Sequence, residues 1–133
     1  MLGFVDLIRI DHFRGFEAFW AVDAGEETAI IGEWVDAPGV AFFETVEKEL
    51  GQLPFLAEDL GLIDDKVEAL RDRFDFPGKI ILQFSFGSAS SNPYLPHNID
   101  RNFLIYTGTH DNDTTVGWFN SASEYEKLRL VNY

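Results

Sequence analysis

The sequence lacks cysteine altogether, has few basic residues and contains no long apolar run. Without cysteine it can form neither disulfides nor thiolate metal sites. Its 10 Lys and Arg stand against 23 Asp and Glu, and this net charge of -13 argues against a nucleic-acid partner, because phosphate backbones are bound through clustered basic residues. No segment approaches the roughly 20 apolar residues that cross a bilayer, and the N-terminus lacks the features of a signal peptide. We therefore expect no membrane association and a cytoplasmic location.

Aromatic residues are abundant by contrast, since 13 Phe, 4 Tyr and 3 Trp make up 15% of the chain. A small core rarely needs so many, so we expect some of them to face a ligand. At 133 residues the chain has the size of one domain, and no repeat or linker divides it. We predict one folding unit over residues 1–133 with no internal boundary. The glycines form neither the G-x-G-x-x-G nor the Walker spacing, so we expect no nucleotide cofactor.

Short apolar runs that end in polar residues predict four β-strands. The first lies at about 6–10, the second at 54–57, the third at 79–84 and the fourth at 103–106. The segment 12–40, after the first strand, is rich in Gly, Trp and acidic residues. Ordered loops of this length tend to be functional, so we predict a long functional loop there.

Two apolar stripes with helical spacing predict helices between these strands. The members are Phe43, Val46 and Leu50 in the first stripe and Val67, Leu70 and Phe74 in the second. Gly51 follows the first stripe where helices commonly end, and Asp64 is placed to cap the second helix. Ser121 and Glu124 have the spacing of a capping box and predict a terminal helix.

Strands that alternate with helices predict an α/β protein with a parallel sheet and right-handed crossovers. Four parallel strands alone would leave two open edges, which natural parallel sheets avoid. We therefore interpret the chain as an arc of a (β/α)8 barrel, a fold that normally needs about 250 residues. A small open α/β sandwich is the alternative.

Acidic residues follow three of the predicted strands: Asp11, Glu58 and Asp111. The carboxyl ends of parallel strands meet at one edge of a sheet, so the three side chains are expected to converge. Paired carboxylates among aromatic residues are the equipment of glycoside chemistry, in which one group stays ionised and another donates a proton. A single acid at a strand end is more often a helix cap or a solvated loop residue, but three in register favour a catalytic site.

Basic side chains accompany these acids. Arg9 lies two residues before Asp11, so both point to the same face of a strand, and the cation would stabilise the ionised form that a nucleophile needs. Arg9 would have the same position if it only neutralised a buried acid. His110 is placed to donate a hydrogen bond to a sugar hydroxyl. Because His12 and His110 adjoin acidic residues, a metal site is an alternative, but neither His-x-His nor HExxH spacing occurs, and we expect no metal.

Several aromatic side chains could supply the flat apolar surfaces on which sugar rings stack, although core packing is the commoner role for each of them. The candidates are Trp20, Trp34, Trp118, Phe13, Tyr94 and Tyr106.

Five motifs are specific enough to indicate a family. They are RIDHFRGF at 9–16, LPFLAEDLG at 53–61, FPGKIILQF at 76–84, NPYLPHN at 92–98 and YTGTHDNDTTVGW at 106–118. In this order they closely resemble successive motifs of the 4-α-glucanotransferases of glycoside hydrolase family 77, which are the amylomaltases or disproportionating enzymes. The resemblance covers nearly the whole chain.

The resemblance implies a (β/α)8 barrel that moves segments of α-1,4-glucan between malto-oligosaccharides or starch-type glucans, with glucose or glucan as acceptor and no cofactor. Asp11 would be the nucleophile, Glu58 the general acid/base and Asp111 the stabiliser of the transition state. Arg9 and His110 would hold the sugar at the cleaved bond. The substrate-binding set that we expect is Arg9, His110, His12, Trp34, Tyr94 and Asn112.

The chain departs from the family in length. It starts at what resembles barrel strand four and ends after the helix that follows strand seven, so we expect the remaining strands to be missing from it. The alternative to a glucan transferase is therefore a catalytically inactive barrel fragment with at most weak glucan binding. A plastid location would apply if the parent protein were of the plant type.

Overall fold

The computed structural model describes residues 3–61 and 63–133. Within them the strands are β1 (Ile8–Ile10), β2 (Ala18–Ala21), β3 (Glu33–Asp36), β4 (Phe55–Ala57), β5 (Gly78–Ile81) and β6 (Phe103–Tyr106). The α-helices are α1 (Gly39–Leu50), α2 (Asp65–Arg73), α3 (Thr115–Ser121) and α4 (Glu124–Asn132), and short 3-10 helices cover Phe13–Phe16, Leu82–Phe84 and Pro96–Asn98. The predicted mixed α/β class is confirmed. The chain divides into two compact units, Met1–Gly78 and Lys79–Tyr133.

The described strands pair two by two. β1 and β4 are parallel neighbours, with Arg9 beside Leu56, β2 and β3 form an antiparallel hairpin, and β5 pairs with β6. All four predicted strands exist, and the fourth has the predicted bounds. The third is shorter than predicted, because the chain turns into a 3-10 helix at Leu82.

Phenylalanine rings form the core of the first unit. Phe43 on α1 is fully buried, and its ring centroid lies 4.9 to 6.3 Å from those of Phe13, Phe16, Phe42, Phe55, Phe74 and Phe76. The core also contains Leu53, Ala57, Val67 and Leu70. Of the two roles considered for Phe13, the structure shows core packing, the commoner one, because its side chain is completely buried. The predicted stripe on α1 holds for Phe43 and Val46 but fails at Leu50, which is 59% exposed in the last turn, beyond the core.

The second helix begins as the sequence predicts. The Asp64 carboxylate accepts hydrogen bonds of 3.1 Å from the backbone N–H groups of Lys66 and Val67, which satisfies donors that have no partner inside the helix. Val67 and Leu70 are buried, and Phe74, just past the helix end, packs against the same core.

The predicted long loop at 12–40 is wrong. It contains the 3-10 helix Phe13–Phe16 and the β2–β3 hairpin, in which Trp20 pairs with Trp34. The backbone N–H of Ala37 donates to the Glu17 carbonyl at 2.7 Å and closes the base of this hairpin. The hairpin escaped prediction because the connection between its strands is much longer than the two to five residues that mark a hairpin in sequence.

The second unit buries Ile80, Ile81, Phe86 and Leu95. Its two helices follow β6, and α3 was not predicted; the Thr114 hydroxyl caps it by accepting from the N–H of Gly117. The predicted capping box is wrong by two residues, because Ser121 is the last residue of α3 and the box that opens α4 joins Ser123 to Glu126. In the described part of the chain, no helix is long and apolar enough to cross a membrane.

Candidate active site at the strand ends

Asp11 and Glu58 each follow the last residue of a strand, and these two strands are direct neighbours. Ile10 lies beside Ala57 in the parallel register, so the next pair of residues is Asp11 and Glu58. Neighbouring strands are about 4.8 Å apart. The structure therefore places the backbones of the first two predicted acids side by side.

His12 interrupts the regular hydrogen-bond ladder between the two strands. The Glu58 N–H donates to the Ile10 carbonyl at 2.9 Å, but the Glu58 carbonyl accepts from the N–H of Phe13 rather than from that of His12. His12 adopts the left-handed conformation, with φ 47° and ψ 53°, and forms an extra residue in the manner of a β-bulge. Its N–H is thus released from the ladder and donates to the Glu58 carboxylate Oε2 at 2.8 Å. One acid is anchored to the backbone that directly follows the other.

Arg9 contacts Asp11 as predicted. The guanidinium Nη2 lies 2.5 Å from the Asp11 Oδ1. The Asp11 side chain is 75% exposed, so a substrate has access to it beside the Arg9 cation. The role of Asp11 as the nucleophile stays a prediction.

Arg14 and Trp34 line a cavity of about 480 Å³ in the first unit, and neither Asp11 nor Glu58 is among its lining residues. The Arg14 guanidinium lies 4.2 Å from the centroid of the Trp34 ring and 3.2 Å from the Asp64 carboxylate. Trp20 packs edge-on against the same ring. One face of Trp34 is therefore occupied by Arg14, and its role as a sugar platform stays a prediction. Among the described buried side chains, the Arg14 Nε has no hydrogen-bond partner.

The second unit holds the remaining polar candidates. Asp111 and His110 are both exposed, with 3.4 Å between the Asp111 Oδ2 and the His110 Nε2. The Asn112 carboxamide oxygen accepts from the backbone N–H and the hydroxyl of Thr109, at 2.8 and 2.9 Å, and so builds the turn that carries Asp111. Asn112 thus has a turn-forming role besides its predicted substrate contact. The convergence of Asp111 with the other two acids stays a prediction.

Tyr94 lies in the loop between β5 and β6. It is half-buried, its ring packs edge-on against Phe84, and its carbonyl accepts from the Ser85 hydroxyl at 2.7 Å. In the part of the chain that the structure describes, no group of three or more His, Asp or Glu side chains is arranged to hold a metal ion.

Sequence reasoning missed one polar pair beside the site. Asp59 directly follows Glu58, and its carboxylate lies 2.6 Å from the Arg71 guanidinium of α2. Both side chains are buried. The signal was present in the sequence, because Arg71 falls next to Leu70 and four residues after Val67, on the apolar side of the helix.

Comparisons with known proteins show the family. A family model described as 4-alpha-glucanotransferase matches residues 1–133. A 4-alpha-glucanotransferase from Synechocystis sp. is 55% identical over 99% of this chain and 26% of its own length. One from Thermus thermophilus is 52% identical over 96% of this chain and 26% of its own length. A chloroplastic/amyloplastic relative from Solanum tuberosum is 47% identical over 96% of this chain and 22% of its own length.

A solved structure is similar to the whole chain. The amylomaltase from Streptococcus agalactiae, in complex with acarbose, matches 99% of this chain and 27% of its own length with a TM-score of 0.94 and 40% identity. The chain thus spans about a quarter of the length of the curated relatives it matches.

Proposed function

Because the chain belongs to the 4-alpha-glucanotransferase family, glycoside hydrolase family 77, we propose that it supplies the acid and nucleophile of an enzyme that transfers α-1,4-glucan segments between malto-oligosaccharides. The observation that carries this proposal is the adjacent placement of Asp11 and Glu58 at the ends of parallel strands β1 and β4. The structural neighbour that is in complex with acarbose supports a glucan as substrate.

The proposed reaction has two steps. The Asp11 carboxylate attacks the anomeric carbon of the donor sugar while Glu58 gives its proton to the departing glycosidic oxygen, so that a glucosyl-enzyme forms. Glu58 then accepts the proton of an incoming sugar 4-hydroxyl, which attacks the anomeric carbon and releases Asp11. Retention of configuration requires carboxyl groups about 5 to 5.5 Å apart, which neighbouring strands can provide. Transfer prevails over hydrolysis if the bound acceptor excludes water.

Other residues receive supporting roles in this proposal. Arg9 orients Asp11 through their ion pair. Asp111 stabilises the positive charge that develops on the sugar, and His110 binds a hydroxyl of the same ring. We further propose that β1, β4, β5 and β6 correspond to strands four to seven of a (β/α)8 barrel and that residues 1–133 belong to one catalytic domain. The cytoplasmic location stays a prediction.

A hybrid protein tests the proposal. In it, this chain replaces the matching segment of the Synechocystis relative, which supplies the rest of that relative's length. We expect the hybrid to convert maltotriose into glucose and longer oligosaccharides, as measured by chromatography. Asp11→Asn and Glu58→Gln should each lower this activity by about 1,000-fold or more, because each removes a group that bonds to the reacting atoms.

Matched controls use exposed acids on helices, Asp65→Asn on α2 and Glu47→Gln on α1, which should retain activity. Unchanged transfer by the Asp11 and Glu58 variants would refute their roles. Since the proposed reaction needs no metal or organic cofactor, chelation and extensive dialysis should leave the activity unchanged.

Exposed apolar side chains favour a second candidate, in which the isolated chain is a catalytically inactive fragment with at most weak glucan binding. Tyr125, Leu128 and Val131 on α4 are 57%, 62% and 72% exposed, a pattern typical of a surface that packs against further protein. We expect no product when the isolated 133-residue chain is incubated with maltotriose. Turnover by the isolated chain would exclude this candidate.

A further inference from the structure

A buried ion pair begins at the residue that follows the candidate acid/base Glu58 in the sequence. The Asp59 Oδ2 accepts a hydrogen bond of 2.6 Å from the Arg71 Nη1, and the two side chains are only 4% and 10% exposed. Asp59 is the residue after Glu58, at the end of β4, whereas Arg71 lies near the end of α2. The pair therefore ties the backbone beside Glu58 to a helix.

Arg71 is held in one orientation by a second carboxylate. Its Nε donates to the Asp72 Oδ1 at 2.8 Å, while its Nη1 donates to Asp59 from another edge of the guanidinium group. Burial lowers the pKa of Arg71, but the hydrogen bonds and charges of Asp59 and Asp72 outweigh this effect and raise the pKa above its ordinary value. The guanidinium is thus a permanent cation with a fixed geometry.

The other side of Glu58 is attached to β1. Its N–H and carbonyl bond to Ile10 and Phe13, and its carboxylate accepts from the His12 N–H. The attachment to α2 through Asp59 opposes any rotation of this segment about those bonds. A buried ion pair seldom stabilises a protein more than apolar residues of the same size would, so its benefit lies in the geometry that it imposes.

We propose that Asp59 and Arg71 are positioning residues, which hold the Glu58 carboxyl group at the distance from Asp11 that proton transfer requires. The inference rests on the proposed function of Glu58. A misplacement of about 1 Å in a reacting group can lower a rate 100-fold, so the loss of this attachment should be visible in the chemistry.

Two sugar-donor substrates distinguish a positioning role of Asp59 and Arg71 from a purely structural role. Maltotriose needs a proton from Glu58 to release its leaving group. With α-glucosyl fluoride the C–F bond breaks as Asp11 bonds to the anomeric carbon, and fluoride leaves with its electron pair without a proton. If azide is the acceptor, it attacks the anomeric carbon, frees Asp11 and needs no base. This second reaction uses the same fold and the same nucleophile but bypasses Glu58.

The experiment measures both reactions in the hybrid protein. We expect Asp59→Asn to lower maltotriose transfer by about 100-fold, while fluoride release in azide changes by less than about fivefold. Arg71→Lys keeps the charge but loses the planar fork, and its selective loss should be about tenfold. It also serves as the second variant if Asp59→Asn does not fold. Asp65→Asn is the matched control, since Asp65 is an exposed acid at the start of the same helix, and both rates should stay within about fivefold of the parent.

The outcomes are distinct. Selective loss with maltotriose supports the proposal, whereas equal loss with both donors, or no loss with either, overturns it and leaves the ion pair a structural role. If the parent hybrid transfers no glucan, or if Glu58→Gln affects both donors equally, the proposed function itself fails.

Discussion

Each of the two compact units is stabilised internally by a different kind of interaction. In the first unit, Phe43 sits among six other phenylalanine rings, and hydrophobic burial dominates. In the loop of the second unit, Asn92 is central: its Nδ2 contacts the carbonyls of Phe84 and Ser85, and its Oδ1 accepts from the N–H of Tyr94. A side chain that satisfies backbone groups can order a loop that buries only a few apolar side chains, here Phe86 and Leu95.

Two of the candidate acids, Glu58 and Asp111, also differ in the contacts that hold them. Glu58 is fixed by contacts to residues more than forty positions earlier in the sequence, among them the His12 N–H. Asp111 is carried on a local turn, in which Asn112 and Thr109 bond to each other. The comparison indicates that the position of Glu58 depends on the packed core. The conformation around Asp111 depends on its immediate neighbours in the sequence.

The largest expected effect is that of Phe43→Ala. Removal of this fully buried ring should cost about 3 to 5 kcal/mol, because it leaves a cavity in the aromatic core. Amide hydrogen exchange of the hybrid should speed up in α1 and β4 and stay unchanged in the loop 85–98. Phe42→Ala is the control, since Phe42 is 46% exposed, and its effect should be clearly smaller. Equally accelerated hydrogen exchange in the loop 85–98 would contradict the inferred difference between the two units.

The converse variant is Asn92→Ala. It should cost about 1 to 3 kcal/mol, since it leaves backbone groups of the loop without partners. Exchange should accelerate in residues 85–98 but not in α1. Asn120→Ala, at an exposed position of α3, provides the control. If Asn92→Ala had no effect on the loop, the polar frame inferred for the second unit would be wrong.

The bulge at His12 predicts a difference between two substitutions. Since φ is 47°, His12→Ala should be about 1 kcal/mol less stable than His12→Gly, because only glycine adopts this conformation without a steric penalty. Denaturant unfolding of the two variants measures the difference. The same pair at Glu68, an exposed position inside α2, should show the opposite order, as alanine is favoured in helices.

The smallest effect concerns α4 and pH. Hydrogen bonds from the Ser123 hydroxyl and backbone N–H lower the pKa of Glu126 below its ordinary value. The unfolded state therefore binds the proton more tightly, so this stabilisation is complete above the unfolded-state pKa and is lost as pH falls through the lower folded-state pKa. Glu126→Gln should remove that acid dependence and change exchange in α4 by about threefold at neutral pH. An unchanged acid response would contradict the capping role.

Much of the local structure could be predicted from sequence. The bounds of β6, the Asp64 cap and the core positions of α2 follow from composition, capping chemistry and periodicity, which act over a few residues. The β2–β3 hairpin could not be predicted, because its long connection hides the pairing of Trp20 with Trp34. The capping box was misplaced because Ser121 and Ser123 both precede a glutamate at the required spacing, and only the end of α3 decides between them.

For the candidate site, the sequence by itself determined the family to which the chain belongs and predicted the acids, since the motifs around Asp11 and Glu58 are long and ordered. Only the tertiary structure decided how these residues are held. The release of the His12 N–H to Glu58 and the burial of Asp59 against Arg71 join residues that lie far apart in the chain. Local preferences of the backbone carry no information about such contacts, because they form only when β1, β4 and α2 pack around a shared core.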